Sequence, residues 1–277
     1  MSSGAILAFP DGILTLCCFA VPLVVIVLYS FWKIDLTTFT VTTNWNLGNY
    51  GDIFKSIYLQ ALLRSILITL ATVVGCLLLG LPIAYFIASC KGKLQLLMIG
   101  AIVIPFWTSF VVRTYAWLEL LGAHGVITQA LVHMHLVADG TDLRYSTTAV
   151  IIGMVYSYLP MMILPVYSTF EQLDQPLLEA AADLGKTPSQ AFFQIVMPSC
   201  GGGIVAGSLL VAIPALGEYT IPAILGGSKT LMIGNVIASE FQTTGNYPRG
   251  AALSSVLMVA VLLIIIGKQI MQWRKVR

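Results

Sequence analysis

The sequence predicts an all-α membrane protein: six transmembrane helices joined by a helical elbow that lies outside the bilayer. Three observations predict it. Hydrophobic residues fill 58% of the 277 positions and charged residues only 9%, against about 25% charged in soluble proteins. Charge-free intervals run over residues 12–32, 65–90, 94–112, 145–170, 187–217 and 250–267, each reaching or approaching the ~20 residues that carry a helix across a bilayer. Between the fourth and fifth crossings stands a moderately polar stretch, residues 174–198, with helix signals of its own.

Taken in order, the first interval predicts a helix over residues 12–32. No Lys or Arg precedes Lys33, and the apolar run exceeds the usual core of a cleaved signal peptide, so this helix is expected to stay. The second predicts a span over 65–89. The third, 94–117, carries Phe106, Trp107, Phe110, Tyr115 and Trp117 around Arg113. Aromatic rings in such a place anchor a helix at the membrane surface; facing a cavity instead, they offer π faces to an ammonium group. Arg113 is expected to snorkel to the outer headgroups. The fourth span, 145–169, brings Tyr156 and Tyr158, which could join those rings.

The fifth span, 199–222, differs from the others. Gly207, Pro214, Gly217, Pro222, Gly226 and Gly227 make a density of breakers that an ordinary crossing does not need. Pro214 cannot donate to the carbonyl four residues earlier and crowds it. Backbone groups freed at membrane depth are tolerated only where protein buries them or they line a watery cavity. Glu218 and Tyr219 follow the kink. Glu218 either lines a pathway, as membrane carboxylates usually do, or is the solvated outer end of helix five. The last interval predicts a sixth span over 250–270, followed by a basic tail.

The even count puts both termini on one side. With the elbow inside, the basic residues divide evenly between the two faces. The inner ones (Lys91, Lys93, Lys186, Lys268, Arg274, Lys275 and Arg277) occupy the shorter segments, which favours both termini and the elbow being cytoplasmic. The outer connections, 33–63, 119–144 and 218–249, are long beside the usual ~4–6 residues and suit a soluble partner docking from outside. Residues 126–138 have apolar positions at helical spacing, predicting a short helix along the interface.

Several chemistries are excluded. A net charge of +2 without interleaved basic and aromatic residues does not suit nucleic acid. Cys17, Cys18, Cys76, Cys90 and Cys200 fall in or beside apolar segments, so buried reduced thiols are expected, with neither zinc spacing nor a disulfide framework. His133 and His135, two apart, point to different faces of a helix and are not a metal site. Gly201-Gly202-Gly203 lacks the Lys-Ser/Thr of a phosphate-binding loop; at the head of a membrane helix, these glycines favour close helix packing. No nucleophile–base motif is present, so no catalytic residue is assigned.

The elbow reads as two short helices hinged at a glycine. Asp174 and Pro176 suit a helix start, residues 177–184 are rich in helix formers, and Gly185 offers the left-handed conformation that closes a helix. Thr187-Pro188 restarts one, and Pro198 is expected to end it. Alanines 180–182 leave one face without bulk, as in a docking piece.

The residues Glu179-Ala180-Ala181-Ala182-Asp183-Leu184-Gly185, nine more, and then Ile195-Val196-Met197-Pro198 resemble the Glu-Ala-Ala loop of bacterial ABC importer permeases, with Met197 where leucine is usual. The resemblance implies a type I ABC importer fold in the bacterial inner membrane. Glu179, Ala180, Ala181, Asp183, Gly185 and Pro198 would couple to a separate ATPase subunit. It implies as partners a second permease subunit, two ATP-binding subunits and a periplasmic substrate-binding protein, with ATP and Mg on the ATPase and no cofactor on this chain.

Residues 104–117, 153–167 into Leu173-Asp174, 213–222 through 225–227, and 232–237 are similar to the spermidine/putrescine-type permease subfamily. That implies a polyamine cargo. Glu218, Tyr219, Trp107, Tyr115, Tyr156 and Glu240 are the candidate pathway residues. The alternatives are another small solute carried by the same architecture, or an ion-coupled secondary transporter, which would usually show an internal repeat.

Overall fold

The protein is described from a computed structural model that covers residues 3–35, 38, 40–173, 185–187, 190, 192–227 and 230–276. In chain order come α1 (Ser3–Ser30), the strands β1 (Lys33–Asp35) and β2 (Thr40–Thr42), α2 (Gly48–Asp52), α3 (Ser56–Ser89) and α4 (Lys93–Val103). A 3-10 turn (Ile104–Trp107) leads into α5 (Phe110–Leu120), followed by α6 (Val126–His133) and α7 (Thr147–Glu171). A π-helical stretch (Phe192–Val196) runs into a helical turn (Met197–Ser199), then α8 (Gly201–Leu216), α9 (Thr220–Leu225), α10 (Ile233–Gln242) and α11 (Tyr247–Val276). Two compact units emerge, one of Met1–Ala61 with Gly234–Arg277 and one of Leu62–Ile233.

Among the described residues, three helices are long and apolar enough to cross a membrane: Ser56–Ser89, Thr147–Glu171 and Tyr247–Gly267 within α11. They hold three of the six expected spans. The third expected span is not one straight helix. It is a pair, Lys93–Trp107 and Phe110–Leu120, bent by 97°. Pro105 opens the tight turn, the Thr108 hydroxyl donates to the Pro105 carbonyl at 2.6 Å, and Thr108 and Ser109 are extended, with ψ of 153° and 130°. Counting that pair as one crossing gives four. The fifth expected span is also divided, into α8 and α9. The described apolar part of α1, Leu16–Ser30, is shorter than the three long helices.

Other expectations need correcting. The chain is not wholly α-helical: in the first outer connection β1 and β2 pair antiparallel, Lys33 with Thr42 and Asp35 with Thr40, as its β-branched Ile34, Val41 and threonines allow. Pro198 begins a helical turn rather than ending one, which suits its missing N–H. All five cysteines are free, but Cys17 and Cys18 are exposed rather than buried.

In the unit of Leu62–Ile233, α7 is the central element. Val150, Met154, Met162, Ile163 and Val166 are almost wholly buried, together with Leu121, Ile221 and Leu225. Glycines permit the closest approaches. A Cβ on Gly203 would fall into the Thr169 hydroxyl and within 2.7 Å of the Pro165 carbonyl oxygen; one on Gly207 would lie 2.8 Å from Met162 Sδ. That four-residue spacing is the small-residue seam expected of packed membrane helices. Gly201 and Gly202, by contrast, meet no neighbour among the described residues. α9 packs on the same helix at Gly153, where a Cβ would lie 2.5 Å from Leu225.

In the other unit α1 lies along α11. The Asn49 amide donates to the carbonyls of Ser30 (2.9 Å) and Trp32 (2.8 Å), closing the end of α1.

Candidate functional site

The site is built at the break between α8 and α9. Pro214 sits in the last turn of α8, and the chain turns with Gly217 and Glu218 donating to the Pro214 and Ala215 carbonyls at 3.2 and 3.3 Å. The first amides of α9 then need acceptors, because a helix start leaves its N–H groups unpaired. Glu218 supplies one. Its Oε1 accepts from the amides of Thr220 (2.8 Å) and Ile221 (3.3 Å), and its Oε2 from the Tyr158 hydroxyl at 2.5 Å. Glu218 is 9% exposed and Tyr158 6%. Glu218 is therefore not a solvated helix end; it is a buried carboxylate pinning the broken segment to α7. Tyr219, beside it, is about half exposed.

α9 packs against both α5 and α7, and those two helices also share an aromatic pair. Trp117 and Tyr156 meet edge-on, with ring centroids 5.3 Å apart. The structure does not bring Trp107 or Tyr115 into this pair. Trp107, 85% exposed, ends the 3-10 turn, and Tyr115 is exposed on α5. Trp117 is thus the helix-α5 ring that meets Tyr156, and the sequence held no signal separating it from its neighbours.

The Arg113 guanidinium lies over the rings of Phe106 (5.0 Å) and Phe110 (5.8 Å), bridging the 97° bend, and its Nε is buried with no hydrogen-bond partner among the described residues.

Glu240 belongs to the other unit and is held by a separate group. It is 6% exposed and accepts from the Tyr58 hydroxyl (2.8 Å) and the Thr244 hydroxyl (2.8 Å). Arg249 stands 3.9 Å away and is nearer to Asp52, at 3.1 Å. Asp52 also pairs with Lys55 at 2.7 Å. The hydrogen bond from Lys55 holds the Asp52 carboxyl below the usual value, against desolvation and with help from the charges of Lys55 and Arg249. No local pattern marks Tyr58, Asp52 or Arg249 as site residues, since Tyr58 and Glu240 stand 182 positions apart.

Of the elbow, Glu179, Ala180, Ala181 and Asp183 lie outside the described residues. Gly185 is described and has φ of +75°, the left-handed conformation that the sequence requires there. After it, the Thr187 amide donates to Gln190 Oε1 (3.0 Å) and the Gln190 amide to Thr187 Oγ1 (3.4 Å), a reciprocal capping pair at a helix start. Lys186 reaches Gln194 at 2.6 Å.

Residues 80–273 match the family model described as binding-protein-dependent transport system inner membrane component. The spermidine/putrescine transport system permease protein PotB of Salmonella typhimurium is 37% identical over 256 residues, covering 92% of this chain and 88% of that protein. PotB of Haemophilus influenzae is 40% identical over 217 residues, covering 78% and 76%. In fold, the chain is similar to one from a bacterial alginate ABC transporter in complex with an alginate pentasaccharide-bound periplasmic protein. Its TM-score is 0.72 at 15% identity, covering 98% of this chain and 93% of that one.

Proposed function

We propose a function from the family to which this chain belongs, the binding-protein-dependent transport system inner membrane components: it is the permease subunit of an ATP-driven ABC importer and forms half of a pathway for a polyamine. The observation that carries the cargo is identity of 37% over 92% of the chain to a spermidine/putrescine permease. A polyamine is a chain of ammonium groups on methylene spacers. A wall alternating carboxylate with aromatic surface suits it, and Glu218, Tyr219, Trp107, Tyr115, Tyr156 and Glu240 are the candidate lining.

In this reading the chain crosses the membrane six times, each divided span counting as one crossing, and both termini are cytoplasmic. The elbow over residues 174–198 seats in a groove of the ATPase. A second permease subunit completes the enclosure, two ATP-binding subunits hold ATP and Mg, and a periplasmic protein delivers the cargo. The chain itself is not catalytic and binds no cofactor. The lipid bilayer and the second permease cover the exposed apolar surface; only 33% of the most apolar part of α3 and 28% of that of α11 is buried. ATP-driven closure of the ATPases draws the elbows together and turns the cavity outward, and hydrolysis returns it inward.

The test is reconstitution of the complex in proteoliposomes. ATP hydrolysis and uptake of labelled putrescine, spermidine, a neutral solute and an anionic solute are measured with the binding protein present. Both polyamines are expected to be taken up, with stimulated hydrolysis. Uptake of a non-cationic solute alone overturns the cargo assignment.

A further inference from the structure

We propose that Tyr158 sets the strength of the pathway carboxylate: its hydroxyl holds Glu218 Oε2 when cargo is absent, and a cargo ammonium must displace it to bind. This rests on the reading of the chain as a permease for a cationic solute.

The two carboxylate oxygens are held differently. Oε1 takes the amides of Thr220 and Ile221; exchanging those partners would undo the start of α9. Among the described residues, Oε2 takes one donor, the Tyr158 hydroxyl on α7. That bond can be exchanged without unravelling backbone, so Oε2 is the oxygen at which an ammonium can take the place of the hydroxyl. The ring of Tyr158 is buried in α7, the helix on which α8 and α9 pack, so its hydroxyl returns to the same place after each passage.

The chemistry of the exchange explains why such a residue is useful. An ammonium meeting a free buried carboxylate gains a full charge-assisted bond and is released slowly. One that must replace a hydroxyl trades one hydrogen bond for another and gains only the difference. Cargo is then guided without being trapped.

Tyr158→Phe keeps the ring and removes the competitor. In the reconstituted complex, the apparent KM for spermidine and for putrescine is expected to fall roughly 3–10-fold, about the net weight of one hydrogen bond. The kcat should fall with it, as release slows. A merely structural role would lower kcat without lowering KM. In a Glu218→Gln background, Tyr158→Phe should leave KM unchanged. Should Tyr158→Phe fail to assemble, Tyr158→Met removes the same donor and carries the same test. An unchanged or raised KM in the variant that assembles, or a KM shift that persists beside Glu218→Gln, overturns the proposal while polyamine transport by the parent stands. A parent complex that takes up neither polyamine overturns the cargo reading and this proposal with it.

Discussion

Replacing Glu218 by alanine is expected to destabilise the permease severely, although the residue sits at a chain break where substitutions are usually tolerated. The structure supplies the count. Three donors lose their acceptor: the amides of Thr220 and Ile221 and the Tyr158 hydroxyl. Each buried donor left unsatisfied costs about 1–3 kcal/mol, so the sum begins near 3 kcal/mol, in the range reserved for losses of a buried network. At about 2–4 °C per kcal/mol, the unfolding midpoint should fall on the order of 6–12 °C. Glu218→Gln should cost only about 1 kcal/mol. Its carbonyl oxygen still serves the two amides, and the Tyr158 hydroxyl can turn to accept from the new NH2.

The assay is thermal unfolding of the purified complex, followed by tryptophan fluorescence, for parent, Glu218→Ala, Tyr158→Phe and the double variant. In the alanine background Tyr158→Phe removes an orphaned donor, so the two changes should be coupled by roughly 1 kcal/mol or more. A Glu218→Ala midpoint within about 2 °C of the parent, or strict additivity in the double variant, would refute the reasoning.

Three further outcomes are expected. Gly203→Val should overpack the α7–α8 seam against Thr169 and the Pro165 carbonyl at about 1–3 kcal/mol, whereas Gly202→Ala, meeting no neighbour among the described residues, should not; equal midpoints for the two would refute the seam. Gly185→Val forces a β-branched residue to φ of +75° and should abolish co-purification with the ATPase while the midpoint barely moves; normal co-purification and uptake would refute the docking role. Asp52 has a folded-state pKa below its ordinary 3.8, so its ion pairs contribute stability that is fully present above that value and lost as pH falls through the lowered one. Below about pH 4 the parent should lose stability more steeply than Asp52→Asn, measured as midpoint against pH, and parallel curves would refute it.

What the sequence revealed depended on how far each feature reaches along the chain. The apolar helices over the expected spans 65–89, 145–169 and 250–270 were legible because an unbroken charge-free run is itself the condition for an apolar helix, although α3 starts earlier, at Ser56, and takes in Arg64. Gly185 was legible because its conformation is one that other residues avoid. The break in the third span was not. Pro105 looked like one member of an aromatic run, and the bend depends on the Thr108 hydroxyl turning back to the Pro105 carbonyl and on Arg113 lying across Phe106. The fifth span's kink could be placed from Pro214 and Gly217. The partner that stabilises it could not, because Tyr158 lies 60 residues away.

Both buried carboxylates of the candidate pathway are met by a tyrosine hydroxyl: Glu218 by Tyr158 and Glu240 by Tyr58. A close arginine would satisfy the same oxygens, but it would also cancel their attraction for a cationic cargo. A hydroxyl satisfies hydrogen bonding and leaves the charge in place, with the burial cost that a bare carboxylate would carry partly offset. Arg249 marks the contrast, since it stands 3.9 Å from Glu240 but 3.1 Å from Asp52. Asp52, further exposed, takes the guanidinium and Lys55 together, and Glu240 is left with hydroxyl donors as its closest partners. Removing Asp52 would therefore do more than break a surface pair: it would leave Glu240 as the one carboxylate of the two for Arg249 to pair with.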